Sequence, residues 1–170
     1  MTPRTPYAST PPADSAIQAS LPGAYFYDAW SVQTAHPERS ALGQFVLAFA
    51  QTPRWIDWSM RLRNRVVRVF GLKDLGRFGQ IDPHRPEASY QPGDRLGIFT
   101  LIQQRPHELI VGDDDRHLRV VLSIHQDAAR QTVTVTTVVH VKNRLGRAYM
   151  LLVKPMHKLI APATLRRLGR

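Results

Sequence analysis

Between Val111 and Gln126 the chain reads VGDDDRHLRVVLSIHQ, which packs three aspartates and two histidines into one short stretch. In an extended backbone alternate side chains share a face, so Asp113, Asp115 and His117 would align. His107 and Glu108, from a neighbouring strand, would complete a mixed oxygen and nitrogen set of the kind that holds a divalent metal. The same residues have a plainer use. Asp and Gly favour turns, and here they separate two apolar runs that need one. No spacing such as His-Glu-x-x-His, which sets two ligands on one helix face, is present. The stretch therefore reads first as a charged turn, and no metal is expected. Asp115 and His117 stand as the candidate acid–base pair, with Arg147 as a candidate anion binder.

Elements that would position these groups follow from periodicity. YFYDAWSVQ alternates and reads as a first strand, with Tyr25, Tyr27 and Ala29 on one face and Phe26, Asp28 and Trp30 on the other. HPERSALGQFVLAFAQ reads as a helix with Pro37 and Glu38 in its first turn. A second helix is expected from Pro53 to about Phe70. It would carry Trp55, Trp58, Leu62, Val66 and Val69 on one face and Arg54, Arg61, Arg65 and Arg68 largely opposite. Gly71 would stop it, and 73–94 reads as a long loop with a short strand near Phe78.

Four strands then follow, near 95–103, 107–112, 117–126 and 132–142, joined by turns short enough for antiparallel hairpins. Leu118, Val120, Leu122 and Ile124 point one way; His117, Arg119, Ser123 and His125 point to the solvent side. Val133, Val135, Val139 and Val141 share the next aliphatic face, with Thr137 in line as a polar group. The last segment reads as a helix capped by Asn143. Its expected apolar stripe is Leu145, Tyr149, Leu152, Met156 and Leu159, kinked or divided at Pro155. His140 and His157 read as structural. The result is an α+β domain over residues 21–170, an antiparallel sheet wrapped on a long C-terminal helix. Residues 1–20, rich in Pro, Ser, Thr and Ala, read as a disordered leader or an arm that orders only against a partner.

Composition bounds the partners. The chain has 170 residues and no cysteine, which excludes disulfides, thiolate metal sites and a cysteine nucleophile. Its net charge of +10 suggests an anionic partner, and a cytoplasmic location is expected.

Several stretches carry a resemblance: YFYDAW, LRNRVVRVFGL, DDRHLRVVLS, TVTTVVHVKNRLGRAY and VKPMHKLI. With Asp115-x-His117-Leu118 and Asn143-x-x-Gly146-Arg147-x-Tyr149, these resemble the bacterial domain of unknown function family 2867. By resemblance that family looks like a member of the START-like helix-grip (SRPBCC) superfamily. That implies a curved antiparallel sheet gripping a C-terminal helix, with an apolar ligand in the gap. The resemblance brings no catalytic residues and no cofactor.

The preferred expectation is non-enzymatic binding of an apolar or amphipathic small molecule. Its lining would be Tyr25, Tyr27, Trp55, Val120, Leu122, Val135, Thr137, Val139, Tyr149, Leu152 and Met156. A second expectation is attachment to an anionic membrane or an acidic protein, since Lys142 to Arg170 holds eight Lys or Arg and no acid. A cyclase- or hydrolase-like enzyme using Asp115, His117 and Arg147 is the third. Nucleic acid is disfavoured, because no stacking platform or helix-turn-helix pattern stands out.

Overall fold

The computed structural model describes residues 4–49, 53, 55, 56, 58, 59, 61, 81, 82 and 84–170. In chain order the elements are β1 (Tyr7–Ser9), a 3-10 turn (Ala16–Ser20), β2 (Phe26–Gln33), helix α1 (Ala41–Phe49) and a second 3-10 turn (Glu87–Ser89). Then come β3 (Arg95–Leu96), β4 (Phe99–Arg105), β5 (Glu108–Asp114), β6 (Leu118–Asp127), β7 (Thr132–Val141) and the C-terminal helix (Arg144–Leu165). The strands form one curved antiparallel sheet of order β1-β2-β7-β6-β5-β4-β3, and the class is α+β. The expected strand at 95–103 is a tight hairpin instead. Gly97, at φ +61°, supplies the left-handed residue that lets β3 fold back on β4.

Strand alternation decides the inner face. Val32, Leu101, Leu109, Val111, Leu122, Ile124, Val133 and Val135 pack with Leu42, Phe45 and Phe49 of α1. Phe45 stacks on Phe49 at 4.5 Å, and Phe99 meets both rings edge-on at 6.4 Å. The helix begins later than Pro37 predicts because the Ser40 hydroxyl accepts the Gly43 N–H (3.0 Å), the bond of an N-cap. Trp55, Ile56, Trp58, Ser59 and Arg61 are helical. There Ile56 enters the core, while Trp55 and Trp58, expected to share a face, are both exposed. Leu62, Val66, Val69, Arg54, Arg65, Arg68, Gly71 and the strand near Phe78 lie outside the described residues.

The outer face of the sheet is covered too, which corrects two expectations. Ile110, Val121 and Val138 form a second small core with fully buried Ile17, so the face carrying Ser123 is not solvated. The segment that covers it belongs to the stretch expected to be a disordered leader. Its composition offers one large aliphatic group, Ile17, but polar bonds tie it down. Ser15 caps the 3-10 turn, accepting the Ile17 N–H (3.2 Å). The Glu108 carboxylate accepts the Ala16 N–H (3.0 and 3.1 Å) and the hydroxyls of Ser15 and Ser123. His140 Nε2 lies 2.8 Å from the Ser20 carbonyl, and Asp14 sits 3.4 Å from His125. β1 pairs with β2, and Arg4 donates to the Thr34 carbonyl (3.1 Å). The partner that orders this arm is the chain's own sheet.

The C-terminal helix corrects a third expectation. It runs unbroken through Pro155 and Pro162. Pro155 lies on the exposed side, where water can meet the carbonyl it leaves free. The helix is also turned by one residue from the predicted stripe. Gly146, Met150 and Thr164 are buried, with Val153, His157 and Ile160 half-buried between them. Leu151, Leu152, Met156 and Leu159 face outward. Gly146 sets that rotation. A Cβ there would stand 2.4 Å from the His117 carbonyl oxygen, so only glycine lets the helix start this close to the β5–β6 turn.

Candidate functional site

The acidic turn does not form one site. Its aspartates diverge because adjacent residues of a strand point to opposite faces. Asp113 is buried on the inner face, 3.5 Å from Arg95. Asp114 pairs with Lys142 on the outside. Asp115 Oδ1 accepts the N–H groups of His117 (2.6 Å) and Leu118 (2.9 Å), so it builds the turn. His107 is exposed in the β4–β5 turn, and Glu108 serves the N-terminal arm. Among the described residues no three His, Asp or Glu side chains converge to hold a metal ion.

His117 and the start of the C-terminal helix instead make a staple. Asn143 Oδ1 caps the helix by accepting the Gly146 N–H (3.0 Å), and its Nδ2 donates to the Arg116 carbonyl (3.1 Å). The Asn143 amide also meets His117 Nδ1 at 3.0 Å, and the Lys142 N–H donates to the His117 carbonyl (2.9 Å). His117 Nε2 is buried without a partner. Arg147 is exposed beside a concavity of about 210 Å³ that Lys142 and Arg144 also line. Asp115 and His117 thus share a turn whose visible work is to fix where the helix begins.

The ligand-lining candidates divide into two groups. Val120, Leu122, Val135, Thr137 and Val139 do come together, in register across β6 and β7: Val120 opposite Val139, and Leu122 opposite Thr137. Tyr25, Tyr27, Trp55, Leu152 and Met156 are exposed, and Tyr149 is half-buried. The rotated helix turns Leu152 and Met156 away from the sheet.

In place of those side chains the helix brings His157 to β2. His157 Nε2 is 3.0 Å from Asp28 Oδ1, and Asp28 Oδ2 accepts the Trp30 indole N–H at 3.0 Å. Phe26 meets the imidazole edge-on at 5.7 Å, and Lys154, one turn earlier, lies over the Phe26 and Tyr25 rings. Asp28 is opposite Thr137 in the ladder, so the pair borders the Val120–Val135–Val139 surface. Both side chains are 20 % exposed. A carboxylate with both oxygens engaged fixes the ring's orientation. The sequence marks Asp28 and Trp30 on one strand face, but their link to His157 depends on the helix rotation.

A second concavity, about 530 Å³, lies between the start of α1 and the β4–β5 turn, lined by Ser40, Glu87, Tyr90, Gln104 and Arg105 among others. Burial pushes the Tyr90 hydroxyl above its ordinary value. Nearby, the Gln91 N–H and then the Arg85 guanidinium (2.5 Å) hold the Asp94 carboxyl below its own. The first concavity lies where β7 passes into the C-terminal helix, and neither concavity is lined by Val120, Val135, Val139 or His157.

An antiparallel sheet covered on its inner face by α1 and a C-terminal helix, with the Asp28–His157 pair where that helix meets β2, defines an α+β domain. Residues 20–164 match the family described as a protein of unknown function, DUF2867, and the chain belongs to that family. No curated protein and no solved structure matches it. Among the described residues no helix is long and apolar enough to cross a membrane.

Proposed function

We propose that the chain is a helix-grip domain that binds a small amphipathic molecule between the inner sheet face and the C-terminal helix. Strand order supports the architecture. β2 lies beside the last strand, helical residues intervene before the hairpins β3 to β7, and a terminal helix returns across the inner face to β2 and α1. The observation that carries the reading is the Asp28–His157 pair, partly exposed at the edge of an aliphatic layer in which Val135 and Val139 are buried and Val120 is half-buried. Ligand sites combine apolar walls with a few oriented polar groups. With Nε2–H donated to Asp28, Nδ1 of a neutral His157 is an acceptor, and when protonated it is a donor to a carboxylate. The ligand class is therefore an aliphatic body with a hydroxyl or carboxyl head, and the role is binding rather than catalysis.

Dodecanoic acid and dodecanol, read by thermal shift, test this reading. Both are expected to raise the melting temperature saturably. His157→Phe, which keeps the ring contact with Phe26, is expected to weaken the acid by roughly tenfold or more, as for a lost charge-assisted hydrogen bond. The alcohol should change less. Absence of saturable stabilisation by either probe would remove the proposal.

A further inference from the structure

We infer that the outward face of the C-terminal helix docks the protein onto an anionic lipid bilayer. A helix on a protein surface ordinarily turns its leucines inward. Here Leu151, Leu152 and Leu159 are 71 %, 65 % and 60 % exposed. Helical spacing groups them with Ala148 and Pro155 in one continuous strip, opposite Gly146, Met150 and Thr164. Arg147, Lys154 and Lys158 follow one flank of the strip, and Arg144 and Arg166 stand at its ends. No Asp or Glu occurs from Lys142 to Arg170, and the whole chain carries +10.

Charge selects the occupant. A second copy of this helix would oppose cations to cations with no acid to relieve them. Nucleic acid would use the cations and leave the leucines in water. An anionic bilayer takes both: the strip enters the acyl boundary while Lys and Arg stems carry their charges to the phosphates. The helix would lie in the plane of the interface, since it is not apolar enough to span. Tyr25, exposed beneath the Lys154 ammonium at 4.4 Å, adds an aromatic group of the type that sits at headgroup level. This face is opposite the side that holds His157, so docking does not depend on the small-molecule reading.

The full chain is incubated with phosphatidylcholine vesicles, with and without phosphatidylglycerol, and partitioning is read by flotation. Binding is expected to the anionic vesicles only and to weaken in high salt. Combined Leu151→Ser, Leu152→Ser and Leu159→Ser should reduce it by at least roughly tenfold. Combined Arg144→Gln, Arg147→Gln and Lys158→Gln should reduce it roughly fivefold per charge. The replaced side chains are exposed, so both variants should melt with the wild type; if the serine variant does not, the glutamine variant decides. Equal partition into neutral vesicles would overturn the inference, as would a glutamine variant that binds anionic vesicles like the wild type. So would a concentration-dependent dimer that the serine changes abolish without any vesicle binding, or duplex DNA binding that ignores those changes.

Discussion

Gly146→Ala offers a test whose sign separates two physical accounts. In an open helix the change stabilises by up to about 1 kcal/mol, because alanine loses less backbone entropy than glycine. At position 146 the new methyl would stand 2.4 Å from the His117 carbonyl oxygen and 3.0 Å from Val141 Cγ1, whereas an ordinary contact begins at 3.4 Å. The helix start must therefore retreat by about 1 Å from backbone that cannot rotate aside. That retreat strains the bonds that cross from the helix start to the turn, from the Lys142 N–H to the His117 carbonyl and from Asn143 Nδ2 to the Arg116 carbonyl and His117 Nδ1. Overpacking of this kind costs about 1–3 kcal/mol, and each strained bond up to ~1 kcal/mol more. After the propensity gain, a net loss of roughly 1–3 kcal/mol is expected. With a urea slope of about 1–3 kcal/mol per molar, the unfolding midpoint should fall by roughly 1 M. Ala148→Gly, on the exposed face, is the control and should cost about 1 kcal/mol. A midpoint that rises for Gly146→Ala would refute the close approach and the helix rotation built on it.

Glu108→Gln puts an amide where one carboxylate accepts from Ser15, Ala16 and Ser123, and should cost about 1.5–3 kcal/mol. Thermolysin should then cut before Ile17 or Leu21 faster than in the wild type; equal rates would mean that this carboxylate does not hold the arm. Asp94→Asn probes pH. Because the folded Asp94 carboxyl is held below its ordinary value, its stabilisation is present above the unfolded value near ~4 and is lost as pH falls through the folded value. A small melting-temperature gap between wild type and variant at neutral pH should close in acid, and a gap that widens there would contradict the assignment.

Much of the sheet is legible in the sequence because β-strand periodicity is local. The faces of β2, β6 and β7 follow from alternate residues, and Asn143 and Gly146 announce a cap and a close approach. The helix face is less legible. Apolar residues occur at both Leu145-Tyr149-Leu152 and Met150-Val153-Ile160 spacings, and composition cannot choose between stripes one residue apart. A backbone contact at Gly146 makes the choice, and with it the pairing of His157 with Asp28. The order of the arm is illegible in its own composition for a related reason. Its order rests on Glu108, some ninety residues away, rather than on its own apolar content. A signal was present, since the runs Leu109-Ile110-Val111 and Val120-Val121-Leu122 interrupt alternation and imply burial on both faces. The acidic stretch is legible as a turn from its Asp and Gly content, but the separate partners of Asp113, Asp114 and Asp115 are not, because they lie on different elements.

A methyl-resolved NMR titration with dodecanoic acid addresses the proposed binding face most directly. Saturable shifts are expected at Val120, Val135 and Val139, while Val121 and Val138 beneath the N-terminal arm stay in place. Shifts confined to Leu151, Leu152 and Leu159, or none at all, would show that the inner face of the sheet holds no ligand.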